Sequence, residues 1–242
     1  MANKWDSTLL VQDISSIEIQ KADLDLLKKI NEIGAGISGA WSVGSKQNGL
    51  VSIGDAGWIT LSGAAVNYND INVPISTGKV AAANYPAWTA FIGNQFAYTF
   101  AVNDYIQLAS SELLHDWMEG SNIELHVHWA TNGVDTTDRG VKWEIEYTLV
   151  NIDTSKPFSN AYTGSTVVSS ETIIPANTPT KTGVYTSIAT IDMTGYKIGT
   201  VVLCRLKRIA ATATAPTSNP FAIQVGIHYM RDTLGSRNLA TK

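Results

Sequence analysis

The sequence predicts an all-β protein: a jelly-roll-like antiparallel β-sandwich, preceded by an N-terminal helix and a small Gly-rich β segment. Three observations carry this. Beyond residue 95 the chain breaks into candidate strands at 96–108, 122–131, 140–151, 165–174, 184–193, 199–210 and 220–230, each bounded by Gly, Pro, Asn or Asp. Several of these alternate apolar and polar residues with a period of two, the mark of a half-buried strand. Nothing between them has helical spacing, and many strands without helices indicate a sandwich or barrel. Long strands and several long connections favour the jelly roll.

The chain has 242 residues, room for one large β domain and an appendage. Charged residues make up 16% and the net charge is −4. Lys and Arg are scattered, and the nearest approach to a basic cluster is Arg205, Lys207 and Arg208, too little for a nucleic-acid footprint. A composition low in charge and rich in Ser, Thr, Asn, Ala and Gly suits a surface covered by neighbouring subunits. No apolar run reaches the roughly 20 residues of a membrane helix, and MANKWDSTLL lacks a signal-peptide apolar stretch. The single Cys204 lies in VVLCRL and reads as a buried thiol.

In order, residues 1–37 form an extended segment and a helix. Ser15-Ser16-Ile17-Glu18 has the form of a capping box. Ile19, Ala22, Leu26, Ile30 and Ile33 follow at steps of three or four, and Gly34 and Gly36 stop the helix. This stripe is expected to mediate oligomerisation or anchoring; packing on its own domain is the alternative. Residues 38–66 read as a small Gly-rich β connector, a hairpin built from GLVSIGD and GWITLSG. Residues 67–95, with Pro74, Pro86, Tyr85, Trp88 and Phe91, read as a Pro/aromatic arm of little periodicity. The β-sandwich domain is expected to span 67–242.

Parity assigns faces. In 122–131, Ile123, Leu125, Val127 and Trp129 point one way, and Glu124, His126 and His128 the other. In 140–151, Val141, Trp143, Ile145, Tyr147 and Leu149 oppose Lys142, Glu144 and Glu146; in 220–230, Phe221, Ile223, Val225, Ile227 and Tyr229 oppose Gln224, Gly226 and His228. The apolar faces form the core. If the strands share one sheet, Glu124, His126, His128, Glu144, Glu146 and His228 share a polar outer face. Opposite charges there pair across strands.

Gly120, His126 and His128 match G-x5-H-x-H, the first half of the cupin metal motif. The match then fails: Asn132 and Gly133 stand where a Glu is needed, and parity turns the histidines away from the interior. The expectation is no metal site; had there been one, it would use His126 and His128 at the surface, with Glu144 or Glu146. A cupin-type metal protein is the remote alternative. No nucleophile elbow or P-loop occurs, so no catalytic or cofactor-binding residue is expected and the protein is not expected to be an enzyme.

The run His115-Asp116-Trp117-Met118-Glu119-Gly120, then His126-Val127-His128-Trp129, then Trp143-Glu144-Ile145-Glu146-Tyr147, closes with His228-Tyr229, Asp232 and Gly235-Ser236-Arg237. It resembles a group of tailed-bacteriophage virion proteins sharing an H-x-x-x-E-G, H-V-H-W, W-x-x-E-Y and H-Y-x-x-D-x-x-G-S-R progression, over residues 68–242. The resemblance implies a structural virion component: a head fibre, a capsid decoration, or a collar or tail-associated protein such as a tail fibre. It carries no catalytic role. The implied location is the virion, after synthesis in the host cytoplasm. Expected partners are further copies of the chain, with a trimer favoured, and capsid or tail components. A carbohydrate- or receptor-binding adhesin module is the alternative, with Trp88, Trp117, Tyr162 and Tyr185 as loop aromatics that could stack on a host glycan. Neither nucleic acid nor membrane is expected as a partner.

Overall fold

A computed structural model describes residues 41–45, 48–54, 58–153, 155–156, 166–236 and 238, together with Lys28. The helix stripe Ile19, Ala22, Leu26, Ile30 and Ile33 lies outside the described residues; Lys28 is helical and exposed. No described helix is long and apolar enough to cross a membrane.

The regular structure of the described chain is almost entirely strand. In order these are β1 (Trp41–Ser45), β2 (Gly49–Ile53), β3 (Ile59–Ser62), β4 (Asn67–Pro74), β5 (Lys79–Val80), β6 (Ala87–Ile92), β7 (Gln95–Thr99), β8 (Tyr105–Gln107), β9 (Ser111–Glu112), β10 (Ile123–Ala130), β11 (Arg139–Val150), β12 (Thr166–Ile174), β13 (Gly183–Ile191), β14 (Val201–Ile209) and β15 (Phe221–Arg231). Strands β1, β2 and β3 form a small antiparallel sheet of their own, one strand more than the expected hairpin. It joins the rest where the Leu61 N–H donates to the Asp232 carbonyl and Thr60 bridges Thr233.

The remaining strands make two sheets. The front sheet runs β13-β10-β15-β7-β6, with β4 also paired to β15; the back sheet runs β12-β11-β14-β8-β5, with β9 also paired to β14. All their pairings are antiparallel. Their apolar faces meet in one core that takes Leu125, Val127 and Trp129 from β10, Val141, Trp143 and Ile145 from β11, Val202, Cys204 and Leu206 from β14, and Val225, Ile227 and Tyr229 from β15. Across the gap the Trp129 and Trp143 rings lie 6.1 Å apart, nearly edge to face. Each large apolar side chain removed from water here contributes about 1.5–3 kcal/mol. Cys204 is buried, and burial pushes its thiol up to about 12, so it stays protonated and unreactive.

Two expectations are corrected. The arm at 67–95 contains three strands, of which β4 pairs with β15 over its full length, from Asn67↔Arg231 to Pro74↔Gln224. An edge strand buries one side only and tolerates the Asn, Asp and Pro residues that mask its period in the sequence. The run 96–108 is also not one strand. It leaves the front sheet after Thr99, turns at Asn103 with φ +77°, and enters the back sheet at Tyr105. The Asp104 carboxylate holds that turn by accepting the Ala101 N–H at 2.7 Å.

Candidate functional site

The front sheet positions the polar residues of β10 and β15. Glu124 stands opposite His228 and His126 opposite Gly226, while on the far side of β15 Asp70 of β4 stands opposite His228. On the other flank of β10, Tyr185 of β13 stands opposite His128. Antiparallel neighbours bring such side chains within contact distance, so one outer patch gathers Asp70, Glu124, His126, His128, Tyr185 and His228.

Glu144 and Glu146 are not part of it, which corrects the single polar face. They lie on β11, in the back sheet, and point out of the opposite side of the sandwich. Parity distinguishes inside from outside but not one sheet from the other. There Glu146 pairs with Arg205 at 2.5 Å and Glu144 with Lys207 at 3.8 Å, each directly across the β11–β14 ladder. Such part-exposed pairs contribute some tenths of a kcal/mol each. The basic cluster disperses as well: Arg205 and Lys207 are these partners, while Arg208 turns inward and is 2% exposed.

Within the patch, His126 departs from the outward, solvated position that parity gives it: it is completely buried. Its ring lies flat over Gly226, where a Cβ would fall 2.1 Å from His126 Nε2. Above it stack His228, centroid 4.1 Å away, and Tyr185, 4.9 Å away, both inclined by 34°. A small residue in one strand thus admits the imidazole of the next, and two larger rings close over it. Neither ring nitrogen of His126 has a hydrogen-bond partner among the described residues. Burial, then the neighbouring His228 and His128, hold its pKa down at about 4, so the imidazole is neutral at physiological pH. Replacing Gly226 by alanine is expected to expel this ring and lower stability by about 1–3 kcal/mol in urea unfolding. An unchanged midpoint would place the ring elsewhere.

His228 is held from both sides: Nε2 lies 2.8 Å from Asp70 Oδ1 and Nδ1 3.5 Å from Glu124 Oε2. Glu124 also accepts the Tyr185 hydroxyl at 2.8 Å. Burial raises the Glu124 pKa, but hydrogen bonds from Ser187, Tyr185 and His228 outweigh it and hold the carboxyl below its usual value. Burial, reinforced by Glu124, pushes the Tyr185 phenol up to about 12. Ligand atoms of Asp70, His126 and His228 all lie within 4.8 Å of one another. Beside them, His128 and Tyr185 border an open groove of about 430 Å³ that continues to Gln224, Ile223, Phe91 and Lys181. The Lys181 ammonium sits 3.6 Å above the Phe221 ring centroid, and burial lowers its pKa.

Other residues of the phage-like pattern serve the fold. Trp117 is fully buried, so it cannot serve as a loop aromatic for a glycan. It forms a bridge with Arg231, and the Met118 N–H donates to the Met230 carbonyl. Asp116 accepts the Tyr229 hydroxyl at 2.9 Å, and Glu119 accepts the Ile198 N–H at 2.9 Å. Gly120, at φ +81°, supplies the left-handed turn into β10. The segment 115–120 is a clasp over the end of β15.

Of the remaining loop aromatics, Tyr162 lies outside the described residues and Tyr185 belongs to the histidine patch. Trp88 is half exposed on the β6–β7 hairpin, opposite Tyr98, with the Phe96 ring stacked 6.1 Å away. Sequence reasoning missed Asp70, because β4 was not visible as a strand, and the Phe96 and Tyr98 partners of Trp88. Gly226, alternating with Gln224 and His228, was the available signal for the buried histidine, since glycine inside a strand often marks close approach.

No protein-family model matches the chain, and no curated protein does. Among solved structures, a chain from the infectious bursal disease virus Gx strain shares 9% identity at a TM-score of 0.30, over 79% of this chain and 40% of that one. A Desmodium yellow mottle tymovirus chain shares 12% identity at a TM-score of 0.20, over 72% of this chain and 91% of that one. This chain therefore spans less than half the length of the first. At such scores the architecture rests on the strand pairings themselves.

Proposed function

We propose that the protein is a structural component of a bacteriophage virion, a head-fibre, decoration, or collar or tail-associated protein, whose N-terminal region anchors it and whose β-sandwich is displayed. The observation that carries this reading is the strand order. Strands β7, β8 and β10 to β15 fall into sheets ordered β13-β10-β15-β7 and β12-β11-β14-β8, which matches the eight-stranded jelly roll. That architecture recurs in viral capsid and lectin domains, although a fold alone does not determine a function. The phage-like residue pattern adds support, because so many of its members build the clasp, core and turns of this sandwich. The assembled form is a homo-oligomer, a trimer in this proposal. Density-banded phage particles are expected to yield peptides of this chain at a fixed ratio to the major capsid protein. Peptides found only in the soluble lysate would sink the proposal.

A second reading, a carbohydrate- or receptor-binding adhesin, has one specific observation behind it. Trp88, Phe96 and Tyr98 form an aromatic surface on the β6–β7 hairpin, with Trp88 and Phe96 about half exposed. Aromatic faces with amphipathic rims suit contact with a sugar ring. A glycan array probed with the full chain is expected to give hits that Trp88→Ala abolishes. Hits unaffected by that change would place glycan binding elsewhere.

A further inference from the structure

We propose that Asp70, His126 and His228 form a binding site for a divalent transition-metal ion of the zinc class on the outer face of the front sheet. The inference does not depend on the particle reading. It begins with the burial of His126. A buried imidazole without hydrogen bonds has lost its water contacts and gained nothing in return, and structures normally satisfy such groups or use them. Both ring nitrogens of His126 are in this position.

The neighbouring groups complete a donor set. Ligand atoms of Asp70 and His228 lie within 4.8 Å of each other and of His126. Two imidazoles and one carboxylate suit zinc, iron and related ions rather than calcium or magnesium, which prefer all-oxygen shells. Zinc takes nitrogen and oxygen ligands at about 2.0–2.2 Å in a tetrahedron, which places the donors roughly 3.4 Å apart. Asp70 Oδ1 and His228 Nε2, now 2.8 Å apart, would part slightly, and the wider separations, none beyond 4.8 Å, would close by about an ångström. Asp70, with its side chain 42% exposed on an edge strand, is the member free to make these movements. The same exposure provides the entry path, and three protein ligands leave a fourth position for water or for a group from another molecule.

The surroundings also fit. A metal-ligating histidine usually donates its other ring N–H to a carboxylate, which fixes its tautomer and orientation. His228 presents Nε2 towards Asp70, while Glu124 faces Nδ1 at 3.5 Å and is itself fixed by the Tyr185 hydroxyl. Bound metal would replace the Asp70–His228 contact by two coordinate bonds and leave the Glu124 contact to orient the ring. His128, centroid 5.0 Å from His126, borders the groove next to the ion. A group lying in that groove is therefore placed to supply the fourth ligand.

The test is calorimetric titration of zinc chloride into the full-length, chelator-treated protein at neutral pH. Binding of one ion at micromolar or tighter affinity to this site is expected, lost with Asp70→Asn or His228→Asn. Both side chains are part exposed, so these variants spare the core. Glu124→Gln keeps all three ligands and is expected to weaken binding about 10–100-fold; removal of a ligand should exceed that. Cobalt(II) in place of zinc is expected to give the intense visible absorption of a four-coordinate site, absent in His228→Asn. Absence of heat with the wild-type chain would overturn the proposal. So would isotherms that Asp70→Asn and His228→Asn leave unchanged, which would assign the metal to other residues.

Discussion

Replacing Trp143 by alanine is expected to lower the unfolding free energy by about 3–5 kcal/mol. Trp143 projects from β11, the central partner of β12 and β14, and is completely buried. It touches the opposite sheet through Trp129, at 6.1 Å, and packs edge to face on Phe100 at 5.3 Å. Such arrangements add about 0.5–1.5 kcal/mol beyond the area they bury. A cavity of indole size between two sheets cannot collapse without moving whole strands, which places the expected cost at the upper end of large-to-small substitutions. Chemical denaturation provides the measurement. Trp88→Ala, on the half-exposed hairpin, is the matched control and should change stability by no more than about 0.5 kcal/mol. Equal effects from the two substitutions would contradict a core shared by both sheets.

The second large effect belongs to Arg208. Its guanidinium is buried and donates from Nη1 to the Phe100 carbonyl at 2.7 Å and to Asn219 Oδ1 at 3.0 Å. Asp104 lies beside it, and the two backbones are joined by the Arg208 N–H donating to the Asp104 carbonyl at 3.0 Å. Burial lowers the Arg208 pKa to about 10, an effect Asp104 partly offsets, so the group is charged at neutral pH. Burial raises the Asp104 pKa despite the Ala101 N–H and Arg208. Arg208→Ala therefore removes the donor that satisfies a buried carbonyl and leaves a part-buried carboxyl without its cation. Leaving that buried carbonyl without its charged donor costs about 1–3 kcal/mol, and the cavity left by the truncated side chain adds to it. Arg208→Met combined with Asp104→Asn keeps much of the volume and removes both charges. It is expected to recover a substantial part of the loss, because desolvating two charges is itself costly. If the double variant were no more stable than Arg208→Ala, packing rather than charge would account for the effect.

These two residues also show how far the sequence could be read. Alternation alone places Trp143 in the core and correctly turns Trp129, Val225 and Tyr229 inward, but it also turns Ile223 inward, and that side chain is exposed beside an irregularity in the β10–β15 register. The helix stripe lies beyond the described residues, so that reading gains nothing from the fold. Alternation reports in or out and nothing about which sheet a strand joins. Glu144 and Glu146 therefore looked like neighbours of the histidines, although the whole core separates them. The β4 strand escaped detection because its edge position lets Asn and Asp occupy half of its eight positions. His126 is the instructive exception. Its parity was right, yet it is buried, because side chains on an outer face can bury one another when a glycine makes room. Asp70 joins the patch through a strand that was not visible, so the histidine pair alone showed only part of the candidate site.

The most direct test of the central claim, that this sandwich is a displayed part of a phage particle, is immunogold electron microscopy of intact purified virions with antibodies raised against the chain. Gold is expected at one recurring position on the head, collar or tail of most particles. Particles that stay unlabelled, while the same antibodies detect the chain free in the lysate, would contradict the claim.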